Sequence, residues 1–128
     1  MRVEDLIATI GSMPRDLERR GEVSMLVLLH ESGYFDAAAA VTVQRLREHF
    51  RSHVDDLAAW LRYSEGNRGA PSWYVVAPDP ADPAGRWMVG RHPGDHRESY
   101  DGADMACAVY VRRWLEQLGG LQDTGNRP

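Results

Sequence analysis

Apolar residues recur at helical spacing through the first half of the chain, and in short Trp-, Tyr- and Val-rich runs in the third quarter. Val3, Leu6, Ile7 and Ile10 share one face of a helix over 3–11 that Gly11 ends. Ser12 and Pro14 suit the start of a second helix, because proline is tolerated in a first turn, and Gly21 interrupts it. From Glu22 onward Val23, Met25, Leu26, Val27, Leu28 and Leu29 leave almost no polar face, which predicts the central buried helix. Gly33 closes that helix in the left-handed conformation, with Tyr34 as its hydrophobic partner. Asp36 then caps a predicted helix over 37–50, with the stripe Ala39, Val43, Leu46 and Phe50. Ser52 with Asp55 resembles a capping box and opens a fourth helix that turns Val54, Leu57, Ala58 and Leu61 inward, until Gly66 and Asn67 close it.

The period then shortens. Residues 72–77 and 86–91 are rich in Trp, Tyr and Val and flank a proline-stiffened loop, which predicts a β-hairpin; a third strand follows over 96–100. Asp101 is the expected cap of a last helix over 103–118, with Ala103, Cys107, Tyr110, Val111, Trp114 and Leu118 inward. Gly119 and Gly120 should stop it, leaving 121–128 as a flexible C-terminal tail. The expected fold is α+β. N-terminal helices precede a small antiparallel three-stranded meander, and a C-terminal helix packs on it within one domain over 1–120. Such a sheet is stable only if helices cover a face, and the closing helix with 54–61 are the predicted covers.

Composition narrows the classes. A chain of 128 residues is long enough to bury a core without disulfides or a structural metal. Its single cysteine, Cys107, excludes an internal disulfide and fits a reducing cytoplasm. Glu4 and Asp5 stand where a signal peptide would turn apolar, and the apolar run 25–29 is far too short for a bilayer. All fifteen basic residues are arginine, a composition that fits GC-rich coding. The net charge of −4 speaks against nucleic acid as a ligand and favours a basic protein partner.

The succession Trp60-x-x-Tyr63-Ser-Glu65, Asn67-Arg68, Trp73-Tyr74, Val89-Gly90 and Ala106-Cys-Ala108 resembles a small, functionally uncharacterised bacterial family. That family carries Tyr-Ser-Glu-Asp-Lys-Arg, Gly-Trp-Tyr, Val-Gly and Ala-Cys-Ala before a C-terminal helix. The resemblance spans 54–118, with Gly66-Asn67 in place of Asp-Lys and Ser72 in place of a glycine. It implies an α+β fold and no particular chemistry.

Three constellations invite a functional reading. Tyr63, Glu65, Arg68, Trp73 and Tyr74 crowd a helix-to-strand break, where Glu65 can pair with Arg68 and Arg68 can lie on an aromatic face. The group suits either stapling of the turn or recognition of a protein, since Trp, Tyr and Arg dominate interface hot spots. The acids Asp79, Asp82, Asp95, Glu98, Asp101 and Asp104, facing Arg86, Arg91 and Arg97, suit solvated loops or attraction of a basic partner. His92, Asp95 and His96 form the best metal candidate, although Pro93-Gly94 forces a turn between them. His49 and His53 are a second spaced pair, across an expected helix break at Arg51-Ser52. Cys107 lies on the inward stripe as a small core residue, and His30 near a helix end suits the dipole. No nucleophile elbow, phosphate-binding loop or dinucleotide fingerprint is present.

The sequence therefore predicts a small acidic cytoplasmic protein-binding module, most concretely an immunity-protein or antitoxin-type inhibitor that occludes a basic site. Tyr63, Arg68, Trp73 and Tyr74 would anchor the contact, Glu65 would support Arg68, and Asp79, Asp82, Asp95 and Glu98 would complement the partner's charge. No cofactor or catalytic residue is expected. The competing readings are a small metal protein or enzyme on the His92 loop, and a structural subunit that oligomerises through the apolar helix at 22–29.

Overall fold

The computed structural model describes residues 2–21, 24–66, 72–81, 85–92 and 97–126. In chain order these form α1 (Val3–Gly11), α2 (Met13–Arg20), α3 (Met25–Ser32), α4 (Tyr34–Ala37), a 3₁₀ turn (Ala38–Ala40), α5 (Val43–Ser52) and α6 (Val54–Gly66). Strands β1 (Ser72–Val76), β2 (Trp87–His92) and β3 (Arg97–Tyr100) follow, and α7 (Ala103–Asn126) closes the fold. The sheet is an antiparallel meander in the order β1-β2-β3, with Val75 opposite Val89 and Val89 opposite Glu98. The fold is α+β, as the periodicity predicts.

The central helix is α7, not the apolar segment near residue 25. Ala106, Cys107, Ala108, Val109, Tyr110, Val111, Trp114 and Leu115 are all buried, and α7 touches α5, α6 and all three strands. Its Ala-Cys-Ala stretch lets neighbours approach from two sides at once. Helix α3 contributes Met25, Leu28 and Leu29 to the core but leaves Val27 43% exposed, so it lies at the edge of the core. Ser24 caps it by accepting from the Val27 N–H at 3.2 Å. Gly33 ends it at φ 82°, where a side chain would be strained, and Tyr34 is buried beside it.

Several boundaries differ from the expected ones, each for a local reason. The helix expected over 37–50 is broken. The chain takes one 3₁₀ turn through Ala38–Ala40, and Thr42 caps α5 by accepting from the Arg45 N–H at 3.2 Å. Ala39 is consequently exposed. Ser52 ends α5 instead of opening α6, and the His53 carbonyl accepts from the N–H groups of Asp56 and Leu57. At the start of α7 the Gly102 carbonyl accepts from Ala106, while Asp101 pairs with Arg86 at 3.0 Å instead of capping. Helix α7 continues through Gly119-Gly120 to Asn126, since glycine costs helix stability without forbidding the conformation.

One aromatic group joins the layers. Trp60 is fully buried, donates Nε1–H to the Ile10 carbonyl at 3.1 Å, and meets Tyr63, Tyr110 and Trp114 edge-on at centroid distances of 5.0–6.1 Å. Ser64, also buried, fastens α6 to the sheet: its Oγ accepts from the Val75 N–H at 2.9 Å and donates to the Val75 carbonyl at 3.4 Å. At that point the free edge of β1 is covered by a side chain.

Candidate functional site

Strand alternation sorts the candidate residues onto two faces. Val75 and Val89 are buried toward α7, and Trp73, Trp87, Glu98 and Tyr100 share that side by register. The Arg113 guanidinium lies over the Trp73 ring at 5.3 Å and donates to Glu98 at 3.1 Å. Glu98 also accepts from the Tyr100 hydroxyl. Burial and this carboxylate push the Tyr100 hydroxyl up to about 12. Tyr63 is half-buried, packed edge-on against Trp60 and Trp114, and burial raises its hydroxyl as well. Tyr63, Trp73 and Glu98 thus bolt α6, α7 and the sheet together. Arg113, which the sequence does not single out, is the cation stacked on Trp73 among the described residues.

The opposite face of the sheet is open among the described residues. Tyr74, Val76, Met88, Arg97 and Ser99 line a groove of about 480 Å³, continued by Pro78, Asp79 and Arg86. Tyr74, Val76 and Met88 are only partly buried, and Arg97 is exposed. Gly90 lies opposite Tyr74 on one side and Arg97 on the other, so no side chain fills the space between them. Asp79 holds the loop entrance by accepting from the Ala81 N–H at 2.9 Å. The arrangement is an apolar strip with Arg97 at one end and Asp79 with Arg86 at the other, suited to contact with another macromolecule.

The structure divides the expected anchors. Tyr74 and Asp79 line the open groove, whereas Tyr63, Trp73 and Glu98 face the helices. Glu65 flanks a smaller recess of about 150 Å³ with Leu61, Arg62 and Trp87. Arg68, Asp82, Asp95 and His96, with the side chain of His92, lie outside the described residues. Two of the expected acids outside the anchor set are also committed internally. Asp101 pairs with Arg86, and Asp104 accepts from Arg47 and Arg51 at 3.2 and 2.8 Å. The sequence does not single out Val76 and Met88, and marks Arg97 only as a counter-charge to the acids, although strand alternation from Tyr74 places all three on one face once the register is known.

The second histidine pair has a different setting from the one expected. His49 lies in the last turn of α5, the helix breaks at His53, and the two imidazoles stack 4.1 Å apart and 10° from parallel. His49 Nε2 is 2.8 Å from Asp56 Oδ2, and Arg15 Nη1 is 3.1 Å from Asp56 Oδ1. Among the described residues no group of three or more His, Cys, Asp or Glu side chains could hold a metal ion. Cys107 is buried, and burial pushes its thiol well up, away from a reactive thiolate. Among the described residues no helix is long and apolar enough to cross a membrane. Comparison with protein-family models, curated proteins and solved structures finds no match to this chain.

Proposed function

We propose that the chain is a small cytoplasmic protein-binding module of the immunity or antitoxin kind, which acts by laying its open sheet face over a basic site on its partner. The observation that carries this reading is the uncovered face itself. One side of the meander is closed by α7, while Tyr74, Val76 and Met88 stand partly exposed on the other around a groove of about 480 Å³. Tyrosine and methionine present large contact area and adapt to a partner surface, which suits them to the centre of an interface. The net charge of −4 attracts a basic partner over long range, and Asp79 is among the residues lining the groove. Arg97 supplies directional hydrogen bonds at the far end.

The test is a binding measurement with the purified partner, comparing wild type with Tyr74→Ala/Met88→Ala. Both side chains are partly exposed, so the double variant stays folded, and its affinity should fall by about 2–4 kcal/mol if they are hot spots. The reading fails if a folded double variant binds as tightly as wild type.

A further inference from the structure

In its neutral form the His49 imidazole is held in one tautomer, and its remaining nitrogen has no partner among the described residues. It fits between α5 and α1, where Gly11 has no side chain to oppose it. Its side chain is 7% exposed and that of Asp56 is 6% exposed. A carboxylate only accepts hydrogen bonds, so the contact between Nε2 and Asp56 makes Nε2–H the donor. Arg15 occupies the other Asp56 oxygen and fixes the carboxylate in place. In the neutral ring Nδ1 then carries the lone pair. Nδ1 is not fully buried, and the ring borders a cleft of about 530 Å³ between α1 and α5.

The surroundings of this nitrogen define what it can take. His53 turns its own Nδ1 to the His49 carbonyl at 3.0 Å, which leaves Nε2 of that ring as the acceptor. The two lone pairs lie in nearly parallel ring planes whose centroids are 4.1 Å apart. An ion midway between them would lie well out of both ring planes, so the stack does not chelate a metal. Ile7 and Ala8 provide an apolar wall, and Ser52 and Arg45 stand at the rim. Of the two rim acids, Glu4 faces Arg2 at 3.8 Å, and Glu48, which accepts from Gln44 at 3.1 Å, offsets Arg45. The cleft thus favours neither an anion nor a cation, and its volume lies in the range of small-molecule sites.

We propose that this cleft binds a small neutral molecule with an apolar body and one O–H or N–H donor, the donor bonding to His49 Nδ1 and the body lying on Ile7 and Ala8. The site shares no residue with the sheet face and does not depend on the protein-binding reading.

Phenol is the probe, titrated into the full chain labelled with ¹⁵N and followed through the long-range imidazole resonances near neutral pH. Anisole, which keeps the ring and lacks the donor, is the control. The expected result is a His49 ring protonated at Nε2 alone, and a saturable shift at Nδ1 on adding phenol. The dissociation constant should be on the order of 1 mM, as suits a ligand of so few atoms. Anisole should bind roughly tenfold more weakly or worse, the loss of one hydrogen bond. Ala8→Trp, which blocks the exposed wall without touching Asp56, should abolish the shift while circular dichroism stays unchanged. The proposal is overturned by a His49 ring protonated at Nδ1 or at both nitrogens, by the lack of a saturable shift, or by equal binding of anisole. Phenol binding that survives Ala8→Trp also overturns it.

Discussion

Replacing Gly11 with alanine should destabilise this protein, although the same change in a helix ordinarily stabilises. Gly11 is the last residue of α1, and its backbone is ordinary for a helix, so the methyl group gains up to about 1 kcal/mol of helix propensity. That methyl would fall well inside van der Waals contact of His49 Nε2 and Cδ2. The ring cannot swing away cheaply, because it is bonded to Asp56 and stacked on His53. Overpacking costs about 1–3 kcal/mol, and losing a buried hydrogen bond to a charged group costs about 1.5–3 kcal/mol. Set against the propensity gain, the net loss should be about 1.5–5 kcal/mol. For 128 residues that is a fall in Tm of roughly 6–19 °C. Urea denaturation of Gly11→Ala, of His49→Ala and of the double variant gives the assay. With the imidazole gone the methyl has room, so Gly11→Ala should become neutral or stabilising in the His49→Ala background. The reasoning is refuted if Gly11→Ala alone lies within about 0.5 kcal/mol of wild type, or if its cost is the same with and without His49.

Further expectations concern the core and its charges. Trp60→Phe loses the bond to the Ile10 carbonyl and leaves a void among Tyr63, Tyr110 and Trp114, so it should cost about 2–3 kcal/mol by urea denaturation. Burial acts to raise the Asp104 carboxyl, but the Met105 N–H with Arg51 and Arg47 outweighs it, and the folded value is lowered. The stability this supplies is present above the ordinary carboxylate range and is lost as pH falls through the depressed folded value. The cost of Asp104→Asn, about 1–2 kcal/mol at neutral pH, should therefore shrink on acidification, and a pH-independent cost would contradict the pairing. Cys107 should react with a disulfide reagent only at the rate of unfolding, because its thiol is buried and held protonated; rapid labelling of the native protein would show otherwise.

Much of the architecture was legible because it rests on local chemistry. The stripe Val3, Leu6, Ile7, Ile10, the left-handed Gly33 and the β-rich segments around Tyr74 and Val89 each point to their element without tertiary information. What stayed hidden depends on distant partners. The near-uniform apolarity around Leu26 suggests a buried helix, yet α7, with its small Ala-Cys-Ala segment, is the one enclosed on several sides. Trp73 and Tyr74 are adjacent in sequence and equally suggestive, but only strand register assigns one to the core side and the other to the groove. Asp56 looks like an ordinary acid in a first helical turn. Its burial follows from Arg15 and His49 meeting it from two other helices.

The central claim is that the open sheet face meets the partner, and photo-crosslinking in the native cell tests it most directly. A crosslinking amino acid is placed in turn at Tyr74, at Met88 and, as a control, at the exposed Glu48 on α5. The account predicts one discrete adduct from positions 74 and 88, none from position 48, and loss of that adduct when Arg97→Glu reverses the charge at the end of the groove. An adduct from position 48 alone, or equal labelling at all three positions that ignores Arg97→Glu, would contradict it.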